Sequence, residues 1–246
     1  KRRGRKEVWM LKIDDRTFYL KRRWASLWTF TRAFIRGGTL GFWGFNEWRN
    51  LMRVIALGIP TMTPVAAGAR WRKGIHEAFL MTEAIENACP LDEFFRNHFH
   101  PPLTPDQIQR KRQIILMVAD IVRKLHTCGL YHQDLFVYHM VVRETDDGRC
   151  QVYLFDLDRL VHPIFPWRSR IKDLAKLFLS CYYHAPLSAT DRLRFYRAYI
   201  GRNHYTEQDI KLWYRVWRKA RWVEQHDPQF RNVVKRLPTW QFTSKR

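Results

Sequence analysis

Between residues 140 and 155 the chain reads apolar, then Asp147-Gly148, then apolar again, and no other stretch constrains the fold as much. Asp-Gly between alternating hydrophobic runs marks a two-residue hairpin, because the turn that matches strand twist needs residues tolerant of positive φ. Strands are therefore predicted over 140–143 and 150–155. With Asp147 and Gly148 at the turn, Met140 pairs with Phe155, and His139 falls opposite Asp156 at the open end of the ribbon. Asp134 lies one loop upstream. A phosphotransferase working on a metal nucleotide needs an oxygen ligand for magnesium. It also needs a carboxylate to orient the acceptor hydroxyl and take its proton. Asp156 and Asp134 suit those roles. The plain alternative is that an Asp after a strand is a turn or cap residue, and that His-x-Asp arises by chance.

Upstream of that ribbon, Thr104-Pro105-Asp106-Gln107 supplies an N-cap, a proline at the first helical position and a capping-box glutamine. It opens a long helix with Ile108, Ile115, Val118, Val122 and Leu125 on one face, ended by Gly129. A second helix is predicted over 46–57, with Asn46 as N-cap candidate and Gly58 closing it before Ile59-Pro60. Glu47 sits at the edge of its apolar face. A carboxylate turned toward a core requires a cation. Lys21, expected to end the second strand of a hairpin over 7–22, is one candidate; the other reading turns Glu47 to solvent toward Arg53. A strand over 78–82 leads into a polar, Pro-containing stretch, and residues beyond about 169 are helical in pattern, including 173–183 and 207–223.

Forty-four Lys and Arg face 23 Asp and Glu, a net charge of +21, so much of the excess lies on the surface and the partner is expected to be anionic. Charge alone does not choose among nucleic acid, lipid headgroups, a phosphorylated glycolipid and an acidic protein. Residues 22–43 mix arginines with Trp24, Trp28, Phe30 and Phe34, a composition suited equally to a lipid interface and to a cap over a small lobe. The Trp and Arg residues over 213–222 suit either glycolipid contact or the burial of one aromatic face. Cys89, Cys128, Cys150 and Cys181 show no metal or disulfide spacing, which favours a reducing compartment such as the cytoplasm. No apolar run is long enough to span a bilayer, so membrane contact is expected to be peripheral.

The order of these features is similar to the protein-kinase pattern, and its particulars resemble the lipopolysaccharide kinase (Kdo/WaaP) family along nearly the whole chain. Phe18-Tyr19-Leu20-Lys21 resembles the ATP-anchoring strand, and Glu47-Trp48-Arg49-Asn50-Leu51 the lysine-pairing helix. Phe79-Leu80-Met81-Thr82-Glu83 resembles the strand entering the adenine hinge. Tyr131-His132-Gln133-Asp134 with His139 resembles the catalytic loop, Phe155-Asp156-Leu157-Asp158-Arg159 the metal segment, and Lys172-Asp173-Leu174-Ala175 the helix that braces the loop.

The resemblance implies an α+β, protein-kinase-like fold of two lobes. A small β-rich N-lobe over 1–85 has one main helix, and a mostly helical C-lobe over 86–246 carries the chemistry. It implies ATP and Mg2+ as cofactors, and a heptose or Kdo hydroxyl of lipopolysaccharide inner core as acceptor. Asp134, His132 and Lys21 are then catalytic, and Asp156 and His139 stand at the metal. Lys21, Glu47, Glu83, Ala84, Ile85, Gly4 and Arg5 hold the nucleotide, with Lys6 beside them, while Asp173 gives support. Gln133 replaces the usual arginine, His139 the usual asparagine, and no complete GxGxxG is present. A basic nucleic-acid-binding module is disfavoured because it leaves Asp134, Asp156 and Glu47 unexplained. A pseudokinase scaffold that recruits an acidic protein such as an acyl carrier protein is a further alternative, and retention of the acids argues against lost chemistry.

Overall fold

The computed structural model describes residues 5–26, 43–145, 148–185, 187–202 and 204–226. Alternation and a polar Asp14-Asp15 turn make strands β1 (Arg5–Ile13) and β2 (Arg16–Ser26), which pair antiparallel from Arg5↔Trp24 to Ile13↔Arg16. Lys21 is therefore mid-strand; β2 runs on past the expected end, to Ser26. Strand β3 (Pro64–Arg72) and strand β4 (Ile75–Glu83) complete a four-stranded antiparallel sheet in the order β1-β2-β4-β3. Sequence patterning missed β3, whose small residues, Ala66, Ala67, Gly68 and Ala69, carry little strand propensity. Gly68 is needed there, since an added Cβ would lie 2.3 Å from the Phe79 ring on β4.

Helix α1 (Trp43–Ala56) begins three residues before the expected cap, and Asn46 lies inside it, accepting from Arg49. Its end is as expected. Gly58 takes φ +65°, and the amides of Gly58 and Ile59 donate to the carbonyls of Ile55 and Val54. Leu51 and Val54 are buried under the sheet against Leu80 and Ile59.

After the sheet come strand β5 (Ala88–Pro90), helix α2 (Leu91–His98) and helix α3 (Pro105–Thr127). The Thr104 capping box of α3 is formed in both directions, and Ile114, Ile115, Val118, Val122 and Leu125 are buried. Strands β6 (Met140–Glu144) and β7 (Cys150–Leu154) pair with β5 into a second, three-stranded sheet. Helix α4 (Pro166–His184) lies along α6 (Glu207–His226), and α5 (Ala189–Ile200) packs along α3. The result is a small antiparallel sheet with one helix above a larger, mostly helical body, the α+β two-lobed architecture expected.

The hairpin register differs from expectation by one residue. Met140 pairs with Leu154, and the Phe155 amide donates to the His139 carbonyl at 3.0 Å, so His139 faces Phe155 and not Asp156. The closing pair is Thr145 with Arg149, leaving three residues in the loop, and Gly148 supplies the positive φ of +74° that such a loop requires. A one-residue slip sends side chains to the opposite face. Asp156 escapes that consequence because its backbone turns left-handed, at φ 57° and ψ 54°, which swings its carboxylate back toward His139.

Candidate active site

A cleft of about 440 Å³ separates the four-stranded sheet from the helical body, and Lys6, Tyr19, Lys21, Glu47, Ile85 and Asp156 are among its walls. Lys21 reaches into it from β2. Its Nζ donates to both Glu47 carboxylate oxygens at 2.7 and 2.8 Å and to Asp156 Oδ1 at 2.9 Å. The reading in which Glu47 bends to solvent is thus overturned; only 5% of its side chain is exposed. Burial opposes the Lys21 charge, but the carboxylates of Glu47 and Asp156 outweigh it and hold the ammonium's pKa above the usual lysine value. Burial likewise works against Asp156 ionisation, yet Lys21 pulls its carboxyl down to about 2.

Two contacts that sequence reading did not find hold this triad in place. Asn50, one turn after Glu47, donates from Nδ2 to the carbonyls of Leu157 and Leu160 at 2.8 and 3.1 Å, tying α1 to the turn that follows Asp156. Arg23 on β2 meets Asp158 at 2.7 Å, so Asp158 is engaged with the sheet. The Asn50 signal was available: a buried amide on the same helical face as Glu47 needs partners.

The catalytic-loop segment hangs from Asp173. Its buried carboxylate accepts from the backbone amides of His132 at 2.7 Å and Gln133 at 2.8 Å. Gln133 takes φ +67°, a conformation that a non-glycine residue holds only where its surroundings fix it, and Lys172 donates to its side-chain oxygen at 2.9 Å. His132 is fully buried beneath the loop, with Nε2 at 3.1 Å from the Phe155 carbonyl. It joins the two segments and does not face the cleft, unlike the group touching reactants that the resemblance implied.

Asp134 is clamped by two cations, one from α4 and one from the turn after Asp156. Lys176 of α4 donates to Oδ1 and Arg159 to Oδ2. Burial would raise the Asp134 pKa, but these two cations lower it below the usual carboxylate range. The Lys176 ammonium also sits 4.8 Å over the Phe136 ring. Sequence reading missed it because it comes from a helix 42 residues downstream of Asp134.

His139 lies between the Asp134 loop and Asp156. Its Nδ1 lies 2.7 Å from the Asp134 carbonyl, which can only accept, so Nδ1 carries the hydrogen and Nε2 is left with a lone pair. That lone pair is 3.8 Å from Asp156 Oδ2, the oxygen not taken by Lys21. Burial lowers the His139 pKa and keeps the ring neutral. Among the described residues no group of three or more His, Cys, Asp or Glu is arranged to hold a metal. Asp156 offers the kind of oxygen ligand that magnesium takes, the rest coming from nucleotide phosphate and water, while the nitrogen of His139 better suits holding one of those waters.

At the hinge, the Glu83 amide donates to Thr63 and the Ala84 amide to Thr17 at 2.9 and 2.8 Å, so neither amide is available for a base; Ile85 lines the cleft. The Glu83 carboxylate pairs outward with Arg16 at 2.6 Å. Gly4 lies outside the described residues. Arg5 begins β1 opposite Trp24, and the next residue, Lys6, borders the cleft. Burial lowers the Lys6 pKa, and the nearby Lys21 charge adds to the effect.

This fold and this constellation are those of the protein-kinase-like class. Residues 1–199 match the lipopolysaccharide kinase (Kdo/WaaP) family, and the chain belongs to it. The lipopolysaccharide core heptose(I) kinase WaaP of Pseudomonas aeruginosa is 32% identical over 164 residues, covering 64% of this chain and 59% of that protein. The protein of the same name from Escherichia coli K12 is 29% identical over 161 residues, covering 63% and 59%. The match thus spans about three fifths of these curated relatives. A 3-deoxy-D-manno-octulosonic acid kinase of Haemophilus influenzae is 31% identical over 119 residues, covering 47% of the chain and 44% of its own length. A solved structure described as WaaP in complex with acyl carrier protein superposes with a TM-score of 0.68 at 26% identity, covering 89% of this chain and 85% of that one.

Proposed function

We propose that the protein is an ATP-dependent kinase that phosphorylates a heptose or Kdo hydroxyl of lipopolysaccharide inner core. The observation that carries the reading is the Lys21 ammonium held at once by Glu47 and Asp156, with His139 set between Asp156 and the Asp134 loop. Lys21 and Lys6 face nucleotide phosphates across the cleft, and Ile85 meets the adenine edge. Asp156, with His139 beside it, would hold magnesium, and the ion would offset the charge that develops on the transferred phosphoryl group. Asp134 orients the acceptor hydroxyl. Its lowered pKa makes it a weak base, so it takes the proton late, when the forming phosphoester has acidified it. Asp173 and His132 keep the loop in register. The work divides between a nucleotide-anchoring lobe over 1–85 and a catalytic lobe over 86–246.

The acceptor is densely anionic, which suits a chain of net charge +21. Among the described residues no helix is long and apolar enough to cross a membrane, in keeping with peripheral work at the cytoplasmic face of the inner membrane of a Gram-negative cell. The structural relative's acyl carrier protein complex makes an acidic carrier protein a reasonable second partner. The test is mass spectrometry of purified core oligosaccharide after incubation with protein, ATP and magnesium. One added phosphate on a heptose or Kdo residue is expected, and Asp134→Ala and Asp156→Ala should each abolish it while remaining folded. Full transfer by both variants would sink the assignment.

A further inference from the structure

The segment that joins the metal turn to α4 carries an apolar tip that the proposed chemistry does not use. Ile164 is 90% exposed, Phe165 56% and Trp167 52%. An aliphatic side chain left almost wholly in water is unfavourable, and three neighbours so placed need a reason. The tip is not loose. On one side Val161 and Tyr131 exchange backbone hydrogen bonds at 2.9 and 3.0 Å, anchoring it to the residue before His132. On the other, the Arg168 and Ser169 amides donate to the Phe165 carbonyl, and Ser169 is buried at the start of α4. Pro163 and Pro166 stiffen the backbone between. The tip is therefore held out from the body, beside the catalytic loop.

Its chemistry is interfacial. The Arg168 guanidinium lies 5.2 Å over the Phe165 ring and 5.0 Å over that of Trp167, an apolar surface with a cation at its rim. From residue 160 to 172 the sequence has three Arg or Lys, Arg168, Arg170 and Lys172, and no acid. A similar mixture recurs on α6, where Tyr214, Trp217 and Trp222 are exposed beneath Arg218, Arg221 and Lys219.

We infer that the 163–168 tip is a membrane anchor: Ile164, Phe165 and Trp167 insert among the acyl chains of an anionic bilayer while Arg168 stays at the headgroups. This rests on the proposed function only in that a lipid-linked acceptor would give the anchor its purpose. Insertion would fix the mouth of the Asp134 loop against the surface from which the acceptor sugar projects. An acidic protein fits the cations but gives no reason for an aliphatic side chain at the exposed apex.

The experiment is flotation of the full chain with vesicles of phosphatidylethanolamine and phosphatidylglycerol. Wild type is expected to float, and to keep part of that binding at roughly 0.5 M salt, where headgroup attraction is screened. Ile164→Asp and Trp167→Ser should each weaken partitioning about tenfold with an unchanged thermal midpoint, since neither side chain packs on the core. Undiminished flotation of both variants, or wild-type binding lost entirely at high salt, would overturn the anchor. So would variants that float normally but lose capture of an acidic carrier protein, which would assign the tip to a protein partner. Flotation is read without turnover, so failure of phosphate transfer to soluble core sugar would overturn the kinase reading alone.

Discussion

The two walls of the cleft are held by different means. On the nucleotide wall, one ammonium is shared by two carboxylates brought from strand, helix and metal turn, with Asn50 and Arg23 strapping those elements together. On the proposed acceptor wall, one carboxylate is shared by two cations, Lys176 from α4 and Arg159 from the turn that follows Asp156. The charge logic is inverted. Under the proposed function, the nucleotide wall would keep a cation fixed and neutralised until phosphate arrives, whereas the acceptor wall would keep an acid ionised and weakly basic. This suits a mechanism in which positioning and electrostatics, not strong base catalysis, lower the barrier.

The comparison is broken most directly at its shared centres. Lys21→Met leaves Glu47 buried among carboxylates with no cation, and is expected to cost about 3 kcal/mol of stability and about a thousandfold in rate. Glu47→Gln leaves Lys21 its bond to Asp156 and should cost less on both counts. In the double variant the losses should be less than additive, because an amide in place of the Glu47 carboxylate leaves no charge stranded; additive losses in urea melts would show that the two side chains are not coupled. On the acceptor wall, Lys176→Met should reduce kcat about a hundredfold with little change in the KM for ATP. The acid limb of its pH profile should move upward, since the Asp134 pKa rises toward the ordinary carboxylate value. An equal effect on KM for ATP would place Lys176 with the nucleotide instead.

Asn50→Ala sharpens the comparison without touching either centre. It leaves two buried carbonyls, those of Leu157 and Leu160, short of a donor, so it should cost about 1 to 2 kcal/mol in a thermal or urea melt. Activity should fall less than for Lys21→Met. Unchanged stability would mean that the helix is seated by Leu51 and Val54 packing alone.

The nucleotide wall was more legible in the sequence than the acceptor wall, and the reason is local. Glu47 lies at the edge of an apolar helical stripe and Lys21 lies in a strand, so the need of a part-buried acid for a cation pointed from one to the other. The Thr104 capping box and Gly58 likewise act within a few residues of themselves. Lys176 pairs with an acid 42 residues upstream and looks in sequence like any cation on an amphipathic helix. The hairpin shows the limit most clearly. Asp147-Gly148 announced a turn, but its length depended on whether Thr145 and Arg149 closed the loop, and the answer moved the register by one. The left-handed backbone of Asp156 then restored the expected neighbour by a route that patterning does not encode. Lone buried amides such as Asn50 are readable in principle, through the rule that a buried polar group needs partners, but the partners' identity awaits the fold.

The smallest effect expected separates the walls by titration. Asp156 has its pKa depressed to about 2, so its contribution to stability is complete above the ordinary value of 3.8 and is lost as pH falls from about 4 through about 2. A third of that side chain is exposed, so solvent screening reduces the loss to about 1 kcal/mol. Asp134, also depressed, should lose its share in the same direction, starting below 3.8. The sources differ: Lys21 depresses the first, and Lys176 with Arg159 the second. Lys21→Met should therefore flatten only the Asp156 part of a plot of melting temperature against pH, and Lys176→Met only the Asp134 part. If either substitution removed the whole acid dependence, the two carboxylates would titrate as one coupled set through His139, and the two walls would be a single electrostatic unit.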